Sequence, residues 1–302
     1  MSEQTAISWT DHTFNTHWGC SKISPGCNGC YAEKLAARFG YGWGDDAPKR
    51  EFAESHWDEL IVWDRKAKKA GMRRRVFTNS MSDLFDKFAP AGVRERHFEY
   101  IKRTPNLDHL LLTKRIGNVR SMLPADWGDG YPNAWLGATV VNQEEADRDI
   151  HKLLATPARL RFLSIEPMLG NIRLGMWLQL SPSAAFQMGR ITADMPDWTR
   201  IGSTAINWVI AGGESGPHAR PAHPDWFRSL RDQCAAAGVQ FHFKQHGEWI
   251  GVPDLRELPG GGGPGFGRFD HCKYDMEHEA VRVGKATAGR LLDGIEHNGF
   301  PA

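Results

Sequence analysis

Six short runs of consecutive apolar, β-branched or aromatic residues punctuate the chain, and longer segments with helical character lie between them. The runs are Arg75–Asn79, His109–Thr113, Trp135–Val140, Leu160–Ile165, Asn207–Ala211 and Val239–Phe243. They are mostly continuous rather than alternating, the pattern of parallel strands covered on both faces. Helices are predicted over Glu54–Ala70, which carries Trp57, Leu60, Ile61 and Trp63 among charges, and over Asn142–Leu154, which opens on a polar cap and two glutamates. A third is predicted over Asp225–Ala237, with Gly238 placed to end it. Strands alternating with helices imply a parallel sheet, and about six or seven such units fit a complete or partial βα barrel. Two stretches break the rhythm. Residues 171–205 mix Trp, Met, Pro and Ser without a period and read as an insertion, and Gly260–Gly267 is a glycine-rich loop lacking the Lys-Ser/Thr ending of a phosphate loop.

A chain of 302 residues supports a sizeable core, and 37 basic against 36 acidic side chains give no overall electrostatic footprint for nucleic acid. Met1–Thr5 shows no basic region followed by an apolar run, and no apolar stretch reaches the ~20 residues needed to span a bilayer. The expectation is a cytoplasmic enzyme with no membrane contact.

Cysteine usage changes the picture. Three of the five cysteines, Cys20, Cys27 and Cys30, lie at Cys-x6-Cys-x2-Cys spacing. Ser24-Pro25-Gly26 supplies a turn that can bring the first thiol back to the close pair, and Tyr31–Arg38 is a strong helix former whose N-terminus favours thiolate charge. Clustered thiols in a reducing compartment bind metal more often than they form disulfides. Three thiolates suit a four-iron–four-sulfur (4Fe-4S) cluster with one open iron; the alternative is structural zinc with a fourth ligand such as His12 or His17. Cys234 reads as a small buried apolar residue of a helix, and Cys272 has no spacing partner.

The cysteine motif running into Tyr31-Ala32-Glu33, together with Ser80–Phe85, Leu112–Arg115, Ser164–Pro167, Gly212–Pro217 and Gly284–Gly294, resembles a phage and bacterial three-cysteine-motif family regarded as radical-SAM-like. The resemblance implies an α/β fold built as a partial TIM-type (β/α)6 barrel over residues 1–250, with the insertion at about 171–205. Residues 251–302 would be a glycine-rich loop and C-terminal extension packed on it. It also implies S-adenosylmethionine (SAM) chelated to the open iron, one-electron cleavage to methionine and a 5′-deoxyadenosyl radical, and hydrogen abstraction from a substrate. An electron-donor protein and a companion protein are implied partners. The chain departs from the common Cys-x3-Cys-x2-Cys spacing, and Gly29 stands where an aromatic or aliphatic residue usually precedes the last cysteine.

In a βα barrel, binding groups sit at the C-terminal ends of strands. Ser80, Ser82 and Asp83 follow the first apolar run, where the resemblance implies the SAM ammonium is held, with Asp83 as its partner. Thr113, Lys114 and Arg115 end the next, and Lys114 or Arg115 is placed to meet the SAM carboxylate or an anionic substrate. Thr139 and Asn142 lie where ribose hydroxyls need partners. Glu166 must be paired or face a cavity, and Gly212-Gly213 permits close backbone approach beside Glu214. Any one of these can equally be a rim salt bridge or a cap; together they make a polar mouth. The substrate is left as a small molecule, a nucleotide or a modified nucleic-acid base. The rival function is a nucleic-acid-binding or processing protein with a structural zinc or iron–sulfur site, for which Arg73–Arg75 and Lys66–Lys69 are the basic runs; a solvated helix face and linker accounts for those runs as well.

Overall fold

The computed structural model describes residues 5–178, 206–258 and 269–301. The insertion expected at 171–205 therefore lies mostly outside the described residues, and the glycine-rich loop at 260–267 wholly outside them.

In chain order the elements are β1 (His12–Phe14), β2 (His17–Trp18), α1 (Tyr31–Arg38), β3 (Arg50–Glu51), α2 (Glu54–Ala70), β4 (Arg74–Thr78), α3 (Val93–Arg103), β5 (Leu107–Thr113) and α4 (Ile116–Met122). There follow β6 (Ala134–Thr139), α5 (Gln143–Ala155), β7 (Leu160–Ile165), α6 (Gly175–Leu178), β8 (Trp208–Gly212), α7 (Pro224–Ala237) and β9 (Gln240–Gln245). The C-terminal part adds β10 (Trp249–Gly251), α8 (Val252–Glu257), β11 (Asp270–Lys273), β12 (Glu279–Arg282) and α9 (Lys285–Ala288).

Seven strands form one sheet in the order β1-β4-β5-β6-β7-β8-β9. Pairing is parallel throughout, and the sequential order is the one expected of a partial βα barrel, with one strand more than six. All six apolar runs are strands, shifted by at most two residues at their ends. β1 is the added strand: His12, Thr13 and Phe14 pair with Val76, Phe77 and Thr78 of β4. A smaller antiparallel sheet, β10-β12-β11, follows in the C-terminal part.

The described chain divides into two compact units, one of residues 5–138 and 151–162, the other of residues 139–150, 163–178, 206–258 and 269–301. In the first, α2 turns Trp57, Leu60, Trp63 and Ala67 inward at helical spacing, onto Phe14, Val76, Tyr100 and Leu107. Gly71 ends that helix at φ +64°, the left-handed conformation a glycine adopts without strain, and Lys68 and Lys69 complement its C-terminal dipole. Within the second, α7 packs Phe227, Leu230 and Cys234 inward, and Gly238 closes it as predicted. Burial pushes the Cys234 thiol up to about 12, consistent with a packed apolar side chain. His109 and His242, both inside strands, are completely buried. Among the described residues no helix is long and apolar enough to cross a membrane.

The arginine run Arg73–Arg75 is paired within the fold. Arg73 binds Asp108 in a forked pair, and Arg74 and Arg75 both meet Asp11, the guanidinium nitrogens lying 2.6–3.3 Å from the carboxylates. Those arginines tie the N-terminal edge of the sheet together.

Candidate active site

In the first unit the cysteine loop lies beyond the C-terminal end of β1. Its shape comes from local bonding. Ser24 Oγ accepts the Gly26 amide at 3.0 Å and caps a short 3-10 turn over Pro25–Cys27, and Cys30 N donates to Cys27 O at 3.2 Å. Cys30 is then the N-cap of α1, so its thiol sits at the positive end of that helix. Gly19, at φ +110°, lets the chain enter the loop, and its amide donates to Met81 O from the segment after β4. Cys27 is buried, Cys20 and Cys30 partly so. Lys22 pairs with Glu33 at 2.8 Å; that bond raises the Lys22 ammonium above its ordinary range, and the nearby Cys27 and Cys30 add to the effect.

Strands β4 and β5 bring a polar network against Cys20. Asp83 Oδ1 accepts the Phe85 amide at 3.0 Å and the Thr113 hydroxyl at 2.7 Å; Oδ2 accepts the Lys114 amide at 3.0 Å and Arg115 Nη1 at 3.3 Å. Both oxygens of this buried carboxylate are thus engaged. Arg115 is buried as well. Its Nη1 also donates to Cys20 Sγ at 3.4 Å, while Nη2 donates to Ser21 O at 3.1 Å and Ser21 Oγ at 2.9 Å and lies 3.3 Å from Asp86 Oδ2. Burial pushes the Cys20 thiol up to about 11, against the pull of the Arg115 charge. A proton must therefore leave Cys20 when a metal binds. Lys114 is half-buried, and among the described residues its ammonium makes no hydrogen bond or ion pair.

Ser80 and Ser82 serve the same wall of the site. Asn15 Nδ2 donates to Ser80 Oγ at 3.2 Å, the Tyr31 hydroxyl to Ser80 O at 2.7 Å, and Ser82 Oγ to His17 O at 2.7 Å. Asn79, at φ +65°, supplies the side-chain oxygen that accepts the Thr16 amide at 2.8 Å, locking the turn after β1 to the turn after β4.

The two histidines considered as a fourth zinc ligand have other surroundings. His12 stacks on Trp63 at 4.5 Å, and His17 Nδ1 lies 2.9 Å from Thr16 Oγ1. Among the described residues the one group of three ligand-type side chains with donor atoms within 4.8 Å of each other is His223, Asp225 and His278, and no cysteine belongs to it. A single zinc with bonds of ~2.3 Å would gather tetrahedral thiolates to roughly 3.8 Å from one another. The three thiols do not all lie within 4.8 Å of one another, whereas a cluster would give each thiolate its own iron. The group around His278 is an ion-pair network: its ring nitrogens lie 2.9 Å from Asp225 and from Asp275, with Arg228 3.2 Å from Asp225.

Buried neutral histidines give this unit an acid weakness. Burial lowers His17 to about 4 and His97 to about 3. The unfolded chain takes up these protons near pH 6.5 while the folded chain does not, so their contribution is complete above pH 6.5 and is lost as pH falls towards 4. His17 alone accounts for at most about 3 kcal/mol. Urea midpoints measured between pH 7 and pH 4 are expected to fall steeply for the wild type and less steeply for His17→Gln.

The second unit holds the remaining candidates. Asn142 Oδ1 accepts the Glu145 amide at 2.9 Å and caps α5, while Glu145 Oε2 reaches back to the Val141 amide at 3.1 Å, a reciprocal capping arrangement. Thr139, at the end of β6, is buried. Glu166 pairs with Lys244 Nζ at 2.6 Å, satisfying the requirement that its position imposed. Glu214 is buried and accepts the Arg220 amide at 2.8 Å, Nε at 2.7 Å and Nη2 at 2.6 Å. The close backbone approach allowed by Gly213 is to the chain itself: an added Cβ would overlap the His246 carbonyl.

Asp86 and Ser21 carry no signal in the sequence that marks them for the site. Asp86 follows Asp83 by three residues on an irregular segment, a spacing that carries no periodic signal.

A family model described as "Protein of unknown function (DUF5131)" matches residues 4–301. No curated protein matches the chain. Among solved structures the fold is similar to a double mutant of spore photoproduct lyase with bound AdoMet and dinucleoside spore photoproduct, at 11% identity and TM-score 0.42, covering 90% of this chain and 68% of that one. It is similar also to spore photoproduct lyase complexed with dinucleoside spore photoproduct, at 10% identity and TM-score 0.41, covering 88% of this chain and 66% of that one.

Proposed function

The chain belongs to the family described as protein of unknown function (DUF5131), and from the residues of its first unit we propose that it is a radical-SAM-type enzyme. In this proposal Cys20, Cys27 and Cys30 hold a 4Fe-4S cluster with one open iron. The observation that carries the proposal is the cysteine loop itself. It follows the first strand of a parallel sheet, its last cysteine stands at the N-cap position of a helix, and its first thiol accepts a hydrogen bond from a buried arginine. The donor set fits a cluster: three cysteines whose sulfurs, among the described residues, do not gather with one another or with a histidine into a group of three within 4.8 Å.

Such a cluster supplies the electron that cleaves SAM reductively. The protein's part is to bind, orient and exclude water. Asp83 spends both oxygens on Phe85, Thr113, Lys114 and Arg115, and so acts by fixing the β5 rim. Lys114, whose ammonium has no partner among the described residues, is the cation available to a carboxylate such as that of SAM. Lys114→Met is expected to weaken SAM binding about tenfold, the worth of one charge-assisted hydrogen bond, with iron content unchanged; equilibrium dialysis of the reconstituted protein measures both. The substrate class in this proposal includes nucleotides and modified bases as well as small molecules, and the electron comes from a donor protein.

Anaerobic purification with iron and sulfide analysis, followed by dithionite and SAM, tests the proposal. Four iron and four sulfide per chain with release of 5′-deoxyadenosine supports it. Stoichiometric zinc without iron sinks it.

A further inference from the structure

Arg115 is an unusual neighbour for a metal ligand. Its guanidinium is buried and fixed on three sides, by Asp83, by Asp86 and by the carbonyl and hydroxyl of Ser21, and these contacts aim Nη1 at the Cys20 sulfur. A guanidinium keeps its charge under all ordinary conditions and has no acceptor atoms. It therefore cannot leave its pocket without stranding two buried carboxylates, and it offers Cys20 both an N–H donor and a fixed positive charge.

Resting on the reading of the cysteine loop as a cluster site, we infer that Arg115 sets the electron affinity of the iron–sulfur group through Cys20. Asp83 and Asp86 act as the opposing charges. Arg115 is then a positioning residue that acts through a ligand and touches no substrate.

The physics is a charge balance. A cluster held by three thiolates is anionic, and reduction by one electron adds one more negative charge to it. A hydrogen bond to a ligating sulfur and a nearby cation both favour the electron-rich state, so they raise the reduction potential. Carboxylates at the same place lower it. Inside a protein such charges are weakly screened, so a change of one charge beside the sulfur is felt at the metal. The arrangement holds one cation against two anions within a single buried network. Removing either sign must move the potential, and in opposite directions.

The test uses the full-length chain, reconstituted anaerobically with iron and sulfide. The variants are Arg115→Gln, Arg115→Lys and Asp86→Asn, and the readout is the midpoint potential of the one-electron couple from a dye-mediated titration followed by electron paramagnetic resonance. Arg115→Gln is expected to lower the reduced-to-oxidised ratio at fixed potential by at least tenfold, equivalent to about 59 mV for one electron. Arg115→Lys, which keeps the charge but loses the fork, falls between it and the wild type. Asp86→Asn moves the potential upward. A simple loss of packing would not give opposite signs at two contacting residues. Equal potentials in variants of equal iron content overturn the inference, as do shifts of Arg115→Gln and Asp86→Asn in one direction. If Arg115→Gln takes up no iron, the sign of the Asp86→Asn shift decides. Wild-type protein that takes up no iron overturns the cluster assignment itself, which separates the two failures.

Discussion

Cys20→Ala, Cys27→Ala and Cys30→Ala are each expected to remove the iron–sulfur cluster and with it all release of 5′-deoxyadenosine, while leaving the folded chain intact. The effect is large because a three-thiolate site has no spare ligand. Loss of one leaves two irons open and the cluster liable to dissolve. The fold should survive because the loop is shaped by bonds that bypass the sulfurs. Ser24 caps the 3-10 turn, Cys30 contributes its backbone to Cys27 O, and Gly44 N donates to Cys20 O at 2.9 Å. Cys20→Ala also frees one N–H of Arg115, yet the guanidinium keeps Asp83, Asp86 and Ser21. Iron and sulfide analysis of each reconstituted variant measures the first part, and the urea midpoint of the metal-free protein the second. A variant that keeps its cluster content would strike that cysteine from the ligand set. Zinc uptake abolished by all three substitutions, without any iron, would instead favour the structural-metal alternative.

The strands were legible where burial on both faces forces a continuous apolar run. β5 reads His109-Leu110-Leu111-Leu112-Thr113 in sequence and is buried almost throughout. β1 was not legible, since His12-Thr13-Phe14 is three residues long and carries one apolar side chain. What makes it a strand is parallel pairing to β4 and the bond from Asn79 N to Phe14 O at 2.8 Å, both of which join segments some 65 residues apart. The same limit applies to the site. That polar residues would follow β4 and β5 could be read from the end of each apolar run. That Asp83 would meet Thr113 and Arg115, and that Arg115 would meet Cys20, depends on side chains 30 to 95 positions apart. No local pattern carries such a pairing. The Gly212-Gly213-Glu214 segment shows the limit in another form. Its glycines announce a close approach, and only the fold tells that the 245–248 segment is what approaches.

Asp83→Ala is expected to destabilise the metal-free protein by about 3–5 kcal/mol, the loss found when one partner of a buried ion pair is removed. The substitution leaves the Lys114 amide and the Thr113 hydroxyl without their acceptor and places an incompletely paired guanidinium in a buried site. Asp83→Asn keeps the shape but sets an amide group where four donors converge, so part of the loss should remain. Running the urea titration without iron or SAM separates two roles for this carboxylate. If Asp83 fixes the rim, stability falls in the empty protein and SAM affinity falls with it. If Asp83 instead serves the SAM ammonium, as the sequence resemblance implies, the empty protein keeps its urea midpoint and only the binding of SAM is lost. The four donors already bonded to its two oxygens favour the first result, because a carboxylate has about four lone-pair positions to offer. An ammonium would then have to displace a bond that holds Arg115 against Cys20. The order of the two variants in the titration, alanine below asparagine below wild type, is the signature expected of a carboxylate that holds the site together.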